Sequence, residues 1–257
     1  MSVYTTEIAS DKIASDNPIH QRLLKAYYIA EPYIKGDLLE IGCGEGRGIS
    51  LLKDKTNSYT ALDKIASVIE QLGKQYPDVK FIQDNIPPLN KIEDNSFDIV
   101  ITFQVIEHIK QDRQFLEEIK RVLKPGGKAL ISTPNIKKTL TRNPWHIREY
   151  TAEQLTQLAS TIFDKVEMKG VGGNEKVMEY YEKNKKSVQK ITRFDILKLQ
   201  YRLPASLLRI PYDILNRMNR NKLKKVNDDL VNQIHHSDYL FTDNADEALD
   251  LFLIVEK

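Results

Sequence analysis

Apolar positions along this chain follow two alternating rhythms. From about Ile19 to Ile34, Leu23, Leu24, Tyr27, Tyr28 and Ile34 fall near helical spacing, and Gly36 ends that segment. Leu38, Leu39 and Ile41 form a short apolar run that predicts a buried strand. A glycine loop over 42–48 follows, and Ile49, Leu51 and Leu52 open a helix. The alternation then repeats. Strands are expected over Tyr59–Leu62, Val79–Gln83, Phe97–Phe103, Lys128–Ser132, Phe163–Met168 and Leu249–Val255, and helices over 65–75, 111–123 and 152–161. Strands that alternate with helices need crossover connections, so the pattern predicts an α/β fold with a parallel sheet covered on both faces.

The pattern changes after Gly172-Gly173. Between Lys183 and Lys225 there are thirteen Lys/Arg and two Asp, a net of +11 in a chain whose formal charge is only +2. Ile191, Phe194, Leu197, Tyr201, Leu207, Leu208, Ile214, Leu215 and Met218 thread this basic segment at helical spacing. Pro204 and Pro211 are expected to break it into about two helices. Residues 172–247 therefore read as a basic helical insertion ahead of the last strand of a single domain, 1–257, and residues 1–18 as a flexible polar arm. A single cysteine, Cys43, allows no intrachain disulfide and suggests a reducing, cytoplasmic setting. The N-terminus lacks the features of a secretory signal, and no run of about 18 apolar residues could span a membrane. None of the five histidines sits at a zinc-like spacing, so no metal is expected.

Chemistry concentrates in LEIGCGEGRG, residues 39–48, where a strand runs into Gly42-Cys43-Gly44-Glu45-Gly46 and then a helix. Glycines permit a tight turn against which a ligand can press bare backbone. Neither frame completes G-x-G-x-x-G, because Arg47 or Ile49 occupies the third glycine position, and the phosphate-loop pattern is absent. Asp63 ends the second strand, where a carboxylate can accept both ribose hydroxyls. Glu40 beside the loop favours a ligand carrying an ammonium group over an anionic pyrophosphate. That contrast points to S-adenosylmethionine rather than NAD.

LEIGCGEGRG resembles the first motif of class I S-adenosylmethionine-dependent methyltransferases, and further segments follow in that family's order: TALDK, FIQDNIPPL, NSFDIVITFQVIEHI and LKPGGKALISTPN. The resemblance implies a doubly wound, Rossmann-like sheet of seven strands, mostly parallel, with the last strand antiparallel and supplied by Leu249–Val255. It implies a cofactor site made by Glu40, Gly42, Cys43, Gly44 and Gly46, by Asp63 and Lys64 at the ribose, by Asp84, Asn85 and Ile86 at the adenine, and by Gln104 and Val105 near the methionine part. The segment IHQRLLKAYY resembles a lid helix, with Arg22 suited to the methionine carboxylate and His20 and Tyr27 as further candidates. Asp98, at the start of a strand, is expected to be structural.

Methyl transfer to a hydroxyl needs alignment and a base. NPWHIREYT resembles a segment of methyltransferases acting on surface glycans and small molecules. It makes His146 the candidate base, with Trp145, His146 and Tyr150 on the acceptor side. His108 is a second candidate, alternatively satisfied within its loop, and Thr151 reads equally as the cap of the 152–161 helix. The expected activity is O-methylation of a small molecule, sugar or glycan intermediate. Two alternatives remain: a non-catalytic cofactor-binding protein contacting a partner through its basic helices, and a membrane-associated quinone or lipid methyltransferase. The basic segment suits a lid, a homodimer contact, an anionic acceptor or an anionic membrane surface. With only Phe194, Tyr201 and Tyr212 as aromatics, it suits nucleic acid less.

Overall fold

The computed structural model describes residues 13–195 and 197–257. Eight strands share one sheet: β1 Asp37–Ile41, β2 Ser58–Asp63, β3 Lys80–Gln83, β4 Phe97–Phe103, β5 Leu123–Pro134, β6 Lys165–Gly173, β7 Tyr239–Thr242 and β8 Asp250–Glu256. Their spatial order is β3-β2-β1-β4-β5-β8-β6-β7. The first five pair in parallel, while β8 lies antiparallel between β5 and β6, and β7 pairs antiparallel with β6. The helices are α1 Asn17–Ala30, α2 Ile49–Leu52, α3 Ala66–Gln75, α4 Asp112–Val122, α5 Ala152–Ser160, α6 Glu175–Thr192, α7 Leu199–Arg202, α8 Ala205–Val226 and α9 Asp228–Gln233.

Burial on both faces explains why the central strands are nearly continuous in apolar residues. Leu38, Ile99, Ile101 and Leu130 join one core, beneath α1 and α2. Leu39, Val100 and Ile131 join the other, beneath α4 and α5. On α4, Phe115, Leu116, Ile119 and Val122 form the stripe that meets the sheet, and each is fully buried. Burying a side chain of this size contributes about 1.5–3 kcal/mol.

The sheet has eight strands rather than the seven expected. The extra strand, β7, lies inside 172–247, so that stretch is not wholly helical. A run of four residues (Tyr239–Thr242) carries too little alternation to register as a strand on its own. β6 also extends through Gly170, Gly172 and Gly173, which the sequence pattern treats as a boundary. A Cβ at Gly170 would lie 2.3 Å from the Ala248 side chain, so the glycine there serves close packing. In β5 the residues 124–127 bulge out between the Phe97–Leu123 and Ile99–Lys128 pairs, so strand pairing brackets the Pro125-Gly126-Gly127 turn.

Pro204 precedes α8, but Pro211 sits within it rather than breaking it. The carbonyl deprived of its usual partner belongs to Leu207, an exposed residue on a turn that water reaches. α6 already ends at Thr192, and Asp195 accepts hydrogen bonds from the backbone N–H groups of Leu199 and Gln200 at the start of α7 (2.6 and 3.1 Å).

Residues 1–12 of the expected polar arm lie outside the described residues. The end of that arm is ordered. Ser15 and Asp16 are buried, and α1 begins at Asn17. Asp16 receives Arg217 (2.7 Å) and Arg220 (3.0 Å) from α8, anchoring the insertion to the start of α1. Removing one partner of a buried ion pair leaves the other charge uncompensated. Asp16→Ala is therefore expected to destabilise the fold by about 3 kcal/mol, lowering the melting midpoint by roughly 6–12 °C. Thermal unfolding followed by circular dichroism tests this, and an unchanged midpoint would dismiss the anchor.

Candidate active site

Strand order reverses between β1 and β4, and that is where an open α/β sheet forms its ligand crevice. The glycine turn leaves β1 at this point. The N–H groups of Gly42 and Cys43 both donate to the Leu62 carbonyl (2.7 and 3.1 Å), tying the turn to β2. Gly42, Gly44 and Gly46 all have positive φ (79°, 48° and 74°), a region open to glycine at little cost. Their surroundings differ. A Cβ at Gly42 would strike Val105 at 2.3 Å and one at Gly46 would strike Leu72 at 2.7 Å, whereas a Cβ at Gly44 would meet nothing within 4 Å. Gly42 and Gly46 are needed for packing, and Gly44 presents bare backbone to open space.

Asp63 closes the other side of that space. Its two carboxylate oxygens accept one hydrogen bond each, from the N–H of Gly44 (2.9 Å) and of Ile65 (3.0 Å). Each oxygen retains a lone pair, enough for the two hydroxyls of a ribose. The Asp84 N–H donates to the Asp63 carbonyl (3.1 Å), which sets the second strand-end acid beside the first. Asp84 is half-buried, Asn85 and Lys64 are exposed, and Ile86 packs against the core below. Gln104, at the end of β4, has φ of +59°, a conformation uncommon for a residue with a side chain and often found at functional sites. The bonds from its N–H to the Ser132 carbonyl (2.8 Å) and from its amide to the Ser132 hydroxyl (3.4 Å) hold it there.

Two of the proposed cofactor residues turn away. Glu40 is 1% exposed, and the hydroxyls of Tyr27 and Tyr59 each donate to one of its oxygens at 2.6 Å. It braces the underside of the turn and cannot reach an ammonium group directly. Burial raises its pKa against the opposing pull of those two hydrogen bonds. The Cys43 side chain lies in the core, and burial pushes its thiol far up, so only its backbone can meet a ligand.

A polar cavity of about 260 Å³ adjoins this crevice, lined among others by Arg22, Gln104, Glu107, His108, His146 and Glu149. His146 Nδ1 donates to Glu149 Oε1 (2.6 Å), while the Asn143 amide donates to His146 Nε2 (2.8 Å). This pattern leaves Nε2 as the lone-pair nitrogen, oriented by a carboxylate on the opposite edge of the ring. Thr139 also donates to Glu149. His108 Nδ1 donates to the Trp145 carbonyl (2.9 Å), and burial, followed by the proximity of His146, pushes it down to about 4. Glu107 is fully enclosed, accepts from the Thr133 hydroxyl (3.0 Å), and is pushed by burial up to about 7. Glu107, His108 and His146 bring one donor atom each within 4.8 Å of one another, close enough in principle to share a cation. Both His146 ring nitrogens already have partners, Asn143 and Glu149.

The Glu107 carboxyl sets a pH signature. Its folded pKa of about 7 exceeds the unfolded value, so the folded chain holds a proton that the unfolded chain has released between the two. This favours the folded state at low pH and is lost as pH rises through about 7. Glu107→Gln keeps an acceptor for Thr133 and removes the titration. Its stability relative to the parent is expected to improve by roughly 2 kcal/mol between pH 5 and pH 8. Urea midpoints at the two pH values measure this, and an equal difference at both would exclude it.

The remaining acceptor-side candidates are largely structural. Trp145 does not line the polar cavity. Its indole N–H donates to Asp213 (3.1 Å), and the Arg209 guanidinium stacks 4.3 Å above its ring, so it packs against α8. Tyr150 is buried, donates to Asp112 (2.8 Å), and is pushed up to about 12 by burial, so it belongs to the core under α5. Thr151 caps α5 in a capping box with Gln154. Arg22 reaches the polar cavity while pairing with buried Asp250 (3.1 Å), and His20 accepts from Arg47 (3.3 Å). Asp98 accepts from the Asp37 N–H and from Lys124, both at 2.8 Å, a structural role. Glu107, Asn143 and Glu149 were not anticipated. Their signal was present: Asn143, His146 and Glu149 are spaced three apart in one loop, a spacing at which side chains can converge.

A switch-point crevice, a glycine turn with open backbone and two adjacent strand-end acids define a Rossmann-like nucleoside-binding domain. Residues 39–131 match the family model described as a methyltransferase domain. A probable S-adenosylmethionine-dependent methyltransferase of Mycolicibacterium smegmatis is 40% identical over 136 residues, which is 51% of this chain and 52% of that protein. A ubiquinone biosynthesis O-methyltransferase of Rickettsia conorii is 29% identical over 133 residues, 50% of this chain and 44% of that one. The crystal structure of an S-adenosylmethionine-dependent methyltransferase from Thermotoga maritima superposes with a TM-score of 0.58 at 15% identity, covering 95% of this chain and 91% of that one. That likeness establishes the fold. The chain spans about half the length of the curated relatives it matches. Over residues 39–131 and the stretch around them the chain is similar to S-adenosylmethionine-dependent methyltransferases.

Proposed function

We propose that the protein methylates an oxygen atom of a small molecule or of a sugar or glycan intermediate. The observation that carries this reading is the Glu149–His146 pair, which points a basic nitrogen into the cavity shared with Gln104. S-adenosylmethionine fits the residues present, because Gly44 faces open space beside the spare acceptor capacity of Asp63. When bound, it supplies an electrophilic methyl carbon on a sulfonium. Asp63 would hold the ribose, Asp84 the adenine amino group, and Gln104 the methionine side. Nε2 of His146 would take the proton of the acceptor hydroxyl as its oxygen bonds to the methyl carbon and the carbon–sulfur bond breaks. Glu149 stabilises the resulting imidazolium, and Asn143 gives up its place on Nε2 to the acceptor. The Rickettsia relative is named for O-methylation, which supports oxygen as the methylated atom.

Calorimetric titration with S-adenosylmethionine and S-adenosylhomocysteine, followed by an acceptor screen using a labelled methyl group, tests this reading. Micromolar binding with turnover on hydroxylated acceptors is expected. Binding without turnover across the screen would favour a non-catalytic cofactor-binding protein, and no binding would remove the methyltransferase reading.

A further inference from the structure

Behind the polar cavity lies a second chamber of different character. It has a volume of about 400 Å³ and is walled by Ile191, Leu199, Leu203, Leu208, Pro211 and Leu215. That size falls within the roughly 300–1,000 Å³ of small-ligand sites. Thr141, Val188, Tyr212 and Asn216 line both spaces, so the two adjoin. One side carries the histidines and carboxylates, and the other is mainly apolar.

The outer surface of α7 and α8, together the hairpin, is also apolar. Of the fifteen large apolar side chains exposed among the described residues, eleven fall between 191 and 226, and eight of these do not line the chamber. Phe194 and Ile210 are each 72% exposed, and Leu207 and Met218 are nearly as open. A water-facing surface rarely keeps so many together. Exposed cations surround them, among them Lys190, Arg193, Lys198, Arg202 and Lys222, within a segment of net +11. Basic charge interleaved with exposed apolar side chains complements an anionic lipid surface. Nucleic acid would call for stacking aromatics, and only Phe194 and Tyr201 are exposed here. Among the described residues no helix is long and apolar enough to cross a membrane, so the contact would be peripheral.

We infer that the α7–α8 hairpin docks on an anionic bilayer, and that the acceptor is a membrane-borne amphiphile. Its apolar tail occupies the second chamber while its hydroxylated head reaches His146. The docking stands independently, and the head placement rests on the methyltransferase reading above. Head and tail then divide between two adjoining spaces of matching polarity, and the tail enters from the surface that meets the lipid.

The test uses the full chain with sedimented vesicles of phosphatidylcholine, with or without about one-third phosphatidylglycerol. The anionic vesicles are expected to retain the protein at least about tenfold better than the neutral ones, with the difference falling as salt is raised. The exposed double variant Phe194→Ser/Ile210→Ser is expected to lose most of that retention, while its affinity for S-adenosylhomocysteine and its melting midpoint stay at parental values. A second arm uses the fluorescent fatty acid cis-parinaric acid as a tail probe. Leu208→Trp, which narrows the chamber, is expected to weaken its binding about tenfold with vesicle docking retained. Equal retention by both vesicle types, or an unaffected double variant, overturns the docking. A stable dimer in light scattering that the double variant abolishes assigns the face to a second copy and overturns it as well. Unchanged probe binding in a folded Leu208→Trp overturns the tail site. Loss of S-adenosylhomocysteine binding in the parent would defeat the methyltransferase reading and leave the docking result standing.

Discussion

Asp63→Ala is expected to weaken S-adenosylhomocysteine binding by about 100-fold or more. A hydrogen bond to a charged group contributes about 1.5–3 kcal/mol, and two ribose hydroxyls would share this carboxylate. Its loss also frees the Gly44 and Ile65 N–H groups that it holds, so the turn loses its shape together with its ligand. Asp63→Asn keeps one acceptor oxygen and should fall between the two. Calorimetric titration of all three proteins, with circular dichroism to confirm folding, measures the effect. A folded Asp63→Ala protein that binds as tightly as the parent would move the ribose elsewhere.

His146→Ala is the second large expectation. A positioned general base contributes about 10²–10⁴-fold to rate, so turnover should fall by roughly 100- to 1,000-fold. Cofactor affinity should stay near the parental value, because the His146 ring bonds to Asn143 and Glu149 rather than to the glycine turn or Asp63. Glu149→Gln keeps a partner for the ring but removes the charge that would steady the imidazolium, and should cost about tenfold. A His146→Ala protein with undiminished turnover would exclude His146 as the base.

The glycine turn and the strand-end acids were legible in the sequence because their signals are local. The glycines of the turn are spelled out in ten consecutive residues, and Asp63 and Asp84 end strands whose apolar runs announce them. Orientation was not legible. Glu40 sits in the motif, yet strand alternation points it under the sheet, where two tyrosines distant in sequence close on it. The same applies to Trp145 and Tyr150, whose partners Asp213 and Asp112 lie 68 and 38 residues away. β7 escaped because four residues, three of them paired to glycines, carry no periodic signal. The family match ends at residue 131, before His146, α8 and the whole lining of the apolar chamber. The side of the molecule proposed here to meet the acceptor therefore lies where the family match says least.

The clasp between Asp16 and α8 joins the insertion to the helix that braces the glycine turn. Asp16 immediately precedes α1, and α1 carries Tyr27, whose hydroxyl steadies Glu40 beneath the glycine turn. Asp16 itself grips Arg217 and Arg220, on the helix that lines the apolar chamber. A shift of α8 would load the start of α1, which gives the two pockets a route by which occupancy of one could bear on the other. Linkage makes such influence mutual and equal in free energy. The membrane surface, by setting the hairpin, would then also set how tightly the methyl donor is held.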